Sequence, residues 1–163
     1  MHAASSQGPS GTFTQTKDLP AYAELLALSN YSFLQGGSHP EELVERAQAL
    51  GYSALALSDE CSLAGVVRAH VRAKQIGMPL VIGTQCRMDS SKDPDEAGVL
   101  ASADRLLLLA MNREGYARMS QAISEARQQA HKGSYRWTPA QWRSGLDGCL
   151  AIWIPAARFD GHH

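Results

Sequence analysis

An acidic pair, Asp59 and Glu60, follows the apolar segment Ala54–Leu57 after one intervening residue, Ser58. Carboxylates at a strand end could ligate a divalent cation, but a hard cation needs several more oxygen or imidazole ligands around it. The histidines are terminal, precede a proline or lie on predicted helices: His2, His39, His70, His131, His162 and His163. We therefore predict no metal site here. Asp59 is expected to be a structural acceptor for amides near residues 61–63 or in a neighbouring loop.

Nucleophilic catalysis has no support in the sequence. No GxSxG elbow occurs, and no Ser or Cys has an evident His partner, so no residue is predicted to be catalytic. Ser29 and Ser32 are expected to make turn hydrogen bonds. The three cysteines have wide spacing without a CxxC motif, which favours small buried side chains in a reducing compartment: Cys61, Cys86 and Cys149.

A basic segment with interleaved aromatic residues spans positions 113–136. Its five cations form a candidate patch for a phosphate backbone or an acidic partner: Arg113, Arg118, Arg127, Lys132 and Arg136. A solvated helix face is the favoured alternative, because Glu114 and Glu125 lie in the same segment. The chain as a whole has a net charge of −1 and no electrostatic footprint for nucleic acid.

Apolar runs bounded by Gly and polar residues define the elements. Strands are predicted at 23–28, 54–57, 79–82, 105–111 and 149–154, and helices at 39–50, 63–76, 114–131 and 137–143. Ser38, Ser62 and Asn112 are the predicted helix caps, and Gly83 is predicted to turn the chain toward a further strand or edge at 85–88. An acidic loop is expected between Asp89 and Asp104.

Strands that alternate with amphipathic helices indicate the α/β class, with parallel strands and helices outside. An open sheet and a barrel both fit this pattern. Chemistry in such folds collects at the carboxyl ends of the strands, which are predicted at 28–30, 58–60, 84–86, 111–112 and 155. No glycine-rich nucleotide-binding motif follows any strand.

Residues 1–20 are rich in Ser, Gly, Thr and Gln and lack the apolar core of a secretory signal, so we predict a disordered leader. No apolar run approaches the ~20 residues that cross a bilayer. The expected organisation is one domain at 21–155 and a tail at 156–163, with a cytoplasmic location and no membrane partner.

Several separate motifs match one family in order and spacing. They are YSFLQGGSHPEELVERA (31–47), GYSALALSDECSLAGVVRAH (51–70), IG (82–83), LLLAMNREGY (107–116), KGSY (132–135) and GCLAIWIP (148–155). Together they resemble the N-terminal PHP (polymerase and histidinol phosphatase) domain of bacterial C-family DNA polymerases, most closely the error-prone, ImuC-type branch. The resemblance covers about residues 22–155.

The resemblance implies where a metal site would be. Metal-binding PHP domains have His or a carboxylate at six positions where this chain differs from the family pattern: Leu26, Leu28, Gln35, Glu60 (in place of His), Gln85 and Arg105. Of the positions compared, Asp59 alone matches the family pattern. Leucine cannot coordinate a cation and arginine repels one, so the resemblance implies a degenerate site without a metal cofactor.

The resemblance also implies a fold, a partial PHP-type distorted β/α barrel covering the first four or five of seven strands. Polymerase carboxylates that bind Mg²⁺ would lie beyond residue 163, so the chain alone is expected to be inactive. The implied partners are the remainder of a DNA-directed DNA polymerase chain, DNA through that polymerase, and other mutasome subunits. The role expected is structural support of a translesion polymerase in damage-induced mutagenesis. The alternatives are a metal-dependent phosphoesterase or exonuclease and a free-standing binding module.

Overall fold

A computed structural model describes residues 20–88, 104–137 and 146–156. The described residues form five strands and three helices: β1 (Ala23–Ala27), α1 (Pro40–Ala49), β2 (Ala54–Leu57), α2 (Val66–Ile76), β3 (Leu80–Arg87), β4 (Arg105–Ala110), α3 (Arg113–Gln128) and β5 (Cys149–Ile154). None of these helices is long and apolar enough to span a membrane. The predicted leader, the acidic loop, the helix at 137–143 and the tail fall wholly or mainly outside the described residues.

All five strands belong to one sheet in the order β1-β2-β3-β4-β5. Strands β1 to β3 are parallel, as predicted, but β4 pairs antiparallel with both β3 and β5. The α/β class is therefore confirmed, while parallel strands throughout are wrong. The apolar run of β4 is buried on both faces, so its sequence pattern does not indicate the strand direction. The chain between β3 and β4 also needs no crossover helix, because the two strands are antiparallel.

The sheet separates two apolar layers. On one face, Leu55 and Leu57 pack under α1 and α2, and Leu106 and Leu108 pack under α3. The other face carries Ala56, Leu107 and Leu109, with Leu26, Val81, Ile152 and Ile154 packed around them. The alternation of side chains along a strand sends neighbouring leucines of β4 into different layers, so this strand is buried on both sides.

Two predicted helix starts differ from the structure. Helix α1 is capped at His39 rather than Ser38, because the His39 amide donates to the Glu42 carboxylate at 2.8 Å. Helix α2 begins at Val66, and the Ser62 hydroxyl instead accepts a turn hydrogen bond from the Ala64 amide at 3.2 Å.

Two further local predictions have opposite outcomes. The cap of α3 is confirmed, since the Asn112 side chain accepts from the Gly115 amide at 2.8 Å. The turn at Gly83 is wrong, because β3 continues through this glycine to Arg87. A Cβ atom at Gly83 would lie 2.7 Å from the Leu108 carbonyl oxygen, so close approach of β4 explains the glycine.

Candidate functional site at the carboxyl ends of the first three strands

Each of the five strands has one end along the same border of the sheet, and this row of strand ends is called the site edge. The carboxyl ends of β1, β2, β3 and β5 lie here together with the amino end of β4, so that Arg105 pairs with Arg87 on one side and Ile154 on the other. Residues Met111 and Asn112 follow β4 and therefore lie at the opposite edge. Their predicted place among the site-edge residues is wrong, because β4 runs antiparallel to β3.

Asp59 is buried at the end of β2 and joins β2 to the loop after β1. One carboxylate oxygen, Oδ1, accepts from the Ser29 amide at 2.8 Å and the Ser32 hydroxyl at 2.7 Å, and Oδ2 accepts from the Ser29 hydroxyl at 2.7 Å. The predicted acceptor role toward a neighbouring loop is therefore confirmed. The amide of Cys61 does not contribute, since it donates to the Gln85 carbonyl at 2.8 Å.

Glu60 has hydrogen-bond donors on both carboxylate oxygens. The Tyr135 hydroxyl donates to Oε1 at 2.6 Å, and the Arg87 guanidinium forms an ion pair with the same oxygen at 2.9 Å. The Gln35 side-chain amide donates to Oε2. Burial raises the pKa of Tyr135, and the Glu60 carboxylate raises it as well, so the phenol remains a donor.

Gln85 and Arg105 form the next contact along this edge. The Arg105 guanidinium donates to Gln85 Oε1 at 3.2 Å, and Gln85 is bridged to Glu60 through parallel backbone pairing. Gln85 is fully buried, and its Nε2 atom has no hydrogen-bond partner among the described residues. Leu26 packs in the apolar layer with Ala56. Four of the six positions predicted to be altered are therefore linked by contacts, namely Gln35, Glu60, Gln85 and Arg105. Leu26 contributes only apolar surface, and Leu28 is partly buried.

The side chains at this edge do not form a suitable ligand set for a cluster of divalent cations. In the described part of the chain, no group of three His, Cys, Asp or Glu side chains is placed to hold a metal. The lone pairs of Asp59 and Glu60 accept from serine, tyrosine, arginine and glutamine donors instead. Arg105, which donates to Gln85, adds a positive charge at this edge, and a positive charge repels a cation.

Tyr135 and Arg87 are the site residues that sequence reasoning missed. Besides contacting Glu60, the Tyr135 hydroxyl accepts from the Arg87 amide at 3.0 Å, and the Arg87 guanidinium lies 5.5 Å from the ring centroid. In the sequence, Tyr135 is one of the aromatic residues of the basic segment and lies near Lys132. Its membership of the KGSY motif, shared with the resembled family, was the one available signal.

The predicted basic patch is distributed over several sides of α3 and the segment after it. Arg118 forms an ion pair with Asp147 at 3.0 Å, and Arg127 donates to the Cys61 carbonyl at 2.9 Å. These two residues are nine positions apart, which places them on roughly opposite sides of the helix at 3.6 residues per turn. Arg113 begins the helix, while Lys132 and Arg136 follow it as exposed residues. The patch stays a prediction.

Cys61 and Cys86 lie together in the core beneath α3, as small buried side chains. A hydrogen bond from Cys86 lowers the pKa of the Cys61 thiol, whereas burial raises that of Cys86. Cys149 is partly buried and donates to the Gly115 carbonyl at 3.2 Å.

The fold and the edge site together define a PHP-type α/β domain. The family model described as the PHP domain matches residues 25–154, and the chain belongs to this family.

Within that family the chain is similar to the N-terminal regions of error-prone DNA polymerases. It is 51% identical over 146 residues to the error-prone DNA polymerase of Bordetella parapertussis, covering 84% of this chain and 13% of that protein. It is 50% identical over 135 residues to that of Methylococcus capsulatus, covering 82% and 12%. The chain therefore spans about an eighth of the length of the curated relatives it matches.

A solved structure supports the fold alone. An amidohydrolase from Chromobacterium violaceum, with bound sulfate and no metal, superposes with a TM-score of 0.50 at 21% identity. The match covers 66% of this chain and 34% of that one.

Proposed function

We propose that the chain is a non-catalytic PHP segment that braces the core of an error-prone, translesion DNA polymerase. The similarity to error-prone DNA polymerases over 84% of the chain supports the parent. The hydrogen-bonded contacts of Glu60 and Arg105 support the absence of catalysis, because a catalytic PHP site would need these positions to bind cations. In this proposal the segment acts in damage-induced mutagenesis by stabilising the polymerase.

Nucleotidyl transfer then belongs to the rest of the polymerase chain. Carboxylates there would bind the Mg²⁺ ions, and DNA would contact the protein through that part. Other mutasome subunits are proposed partners, and the proposed location is the cytoplasm. The 163 residues by themselves are proposed to have no enzymatic activity.

The observation that carries the proposal is that Glu60 accepts from Tyr135 and Gln35 and forms an ion pair with Arg87. A carboxylate held by three donors loses these contacts when it turns toward a metal. Arg105 beside Gln85 adds an electrostatic cost to any cation at this edge.

The test is a metal titration of the purified chain with Mn²⁺ and Zn²⁺, together with hydrolysis of p-nitrophenyl phosphate. We expect neither stoichiometric binding nor turnover. Deleting His162 and His163 controls for adventitious zinc. A variant that restores the family ligands serves as the positive control: Leu26→His, Leu28→His, Gln35→Glu, Glu60→His, Gln85→Glu and Arg105→His.

The rival functions give different results in the same experiments. A phosphoesterase or exonuclease would bind metal in the unmodified chain and lose turnover in Asp59→Ala. A free-standing binding module would bind polyanions through the basic segment, with affinity that falls steeply as salt rises. Reading the gene beyond codon 163 tests the parent directly, because the proposal requires an in-frame polymerase palm domain.

A further inference from the structure

The loop between β1 and α1 presents two large apolar side chains to solvent. Phe33 is 82% exposed and Leu34 is 90% exposed. They are adjacent, and together they form the tip of the loop, which is called the Phe33–Leu34 tip below. Isolated apolar residues on a surface need no explanation, whereas adjacent ones on a protruding loop suggest a contact surface.

This loop is held in place at several points. The Asn30 amide donates to the Ser38 carbonyl at 2.8 Å and closes the ends of the loop. The amides of Gln35 and Gly36 both donate to the Ser32 carbonyl at 3.0 Å, directly below the tip. The Ser32 hydroxyl is bonded to the buried Asp59. The loop that carries the tip is therefore already ordered before any partner binds. Docking of the tip consequently costs less conformational entropy.

The tip contains a strained backbone conformation. Leu34 has a φ of 61°, in the left-handed region that disfavours a residue with a Cβ atom. Its side chain gains no burial within the described protein to offset that strain. Strained conformations of this kind persist where the surroundings enforce them, and they cluster at functional contacts.

The loop lies beside the start of α2, which adds further apolar surface. The Tyr31 ring approaches Gly65, where an added Cβ would lie 3.1 Å from the ring. Tyr31 also interacts with Arg68 on the first turn of α2. Val67, on the same turn, is exposed. The loop therefore packs against the start of α2 through Tyr31.

We propose that the Phe33–Leu34 tip docks into an apolar pocket on the remainder of the polymerase chain. This inference rests on the proposed function and names the surface through which the segment would brace the polymerase. We choose this occupant because the match covers only 13% of the length of the polymerase relative, so the rest of such a polymerase would supply the pocket. Because the loop is held in place, placing the exposed Phe33 and Leu34 side chains in a pocket would need little further ordering.

The first experiment is hydroxyl-radical footprinting of the isolated chain and of the whole polymerase that carries it. We expect oxidation of Phe33 and Leu34 to be about tenfold slower in the polymerase, because docking would exclude water from both side chains. Equal oxidation rates in the two proteins would overturn the docking proposal.

The second experiment uses a double variant, Phe33→Ser with Leu34→Ser, in the whole polymerase. We expect the half-life of DNA synthesis at elevated temperature to fall by about threefold, since a lost contact favours unfolding of the segment. Met111→Ser is the matched control, because Met111 is also exposed but lies at the opposite edge of the sheet. In the isolated chain the double variant is expected to melt no lower than the parent.

The results separate the two proposals. An unchanged half-life in the double variant, or an equal loss in Met111→Ser, overturns the docking surface and leaves the bracing role intact. If the gene encodes no polymerase domain beyond residue 163, the proposed function fails, and the docking proposal fails with it.

Discussion

The carboxylate of Asp59 accepts hydrogen bonds from both the amide and the hydroxyl of Ser29, at 2.8 and 2.7 Å. Ser29 follows β1 and Asp59 follows β2, so this pair joins two neighbouring strands at the edge where the family resemblance implies a metal site. The contact provides a structural reason for retaining Asp59 without a metal. The same aspartate also fixes the loop that carries the Phe33–Leu34 tip, through Ser32.

Asp59→Ala should destabilise the chain by about 3 kcal/mol, because it removes a buried acceptor and leaves the Ser29 amide without its partner. Asp59→Asn should be milder but still destabilising, since an amide nitrogen would face one of the donors. Urea unfolding followed by circular dichroism measures both. Asp147→Ala is the control, because this exposed aspartate forms a surface ion pair worth only ~0–1 kcal/mol. Equal midpoints for Asp59→Ala and the parent would contradict the structural role.

Gly36 and Gly37 are adjacent in the loop between β1 and α1, and their substitution by alanine should change the stability of the chain very differently. A Cβ atom at Gly36 would lie 2.0 Å from the Ser29 carbonyl oxygen, whereas one at Gly37 would meet nothing within 4 Å. We expect Gly36→Ala to cost about 2 kcal/mol or more through backbone displacement, and Gly37→Ala to be neutral or slightly stabilising. Thermal unfolding of the two variants decides this. Similar melting temperatures would show that the loop does not close on Ser29 as described.

Tyr135→Phe should destabilise the chain by about 1–3 kcal/mol, because it deletes the hydroxyl that donates to Glu60 and accepts from the Arg87 amide. Tyr116→Phe, at a more exposed tyrosine, should stay close to the parent. Denaturant titration at neutral pH compares them. A Tyr135→Phe variant as stable as Tyr116→Phe would argue against a packed contact between Tyr135 and Glu60.

The same tyrosine should make stability depend on pH in the alkaline range. The pKa of Tyr135 in the folded chain is raised above its ordinary value of 10.0, chiefly by burial. Its protonated form is thus favoured by folding, so its contribution is complete below pH 10 and is lost as the pH rises above 10. Parent and Tyr135→Phe should therefore converge in stability above pH 10. A stability difference that stays constant from pH 8 to pH 11 would contradict the raised pKa.

Much of the fold follows from local sequence signals. The apolar run at Ala54–Leu57 and the Asn112 cap are recovered because their causes lie within a few residues. The direction of β4 is not recovered, since Leu106 to Leu109 are buried on both faces and carry no directional signal. The sequence predicts a turn at Gly83, whereas the requirement for glycine comes from the Leu108 carbonyl, which is distant in sequence.

The candidate site shows the same division. The family resemblance predicts which positions differ from a metal-binding site. The structure brings four of them together: Gln35, Glu60, Gln85 and Arg105. The contact between Glu60 and Tyr135 joins residues 75 positions apart, and no periodicity or motif spacing encodes such a pair. Partners of this kind emerge only when the sheet and α3 are assembled.

Replacement of Leu34 and Phe33 by glycine should have opposite effects on the isolated chain. Leu34 has a φ of 61° and little burial to lose, so Leu34→Gly relieves strain of about 1–2 kcal/mol and loses part of that gain to chain entropy. A net stabilisation of about 0.5–1 kcal/mol is expected. Phe33 is not in the left-handed region, so Phe33→Gly only adds entropy to the unfolded chain and should cost about 0.5–1 kcal/mol. Urea unfolding at several protein concentrations measures both effects and excludes a contribution from self-association. Destabilisation by Leu34→Gly would mean that the Leu34 side chain contributes packing in the isolated chain, contrary to its 90% exposure.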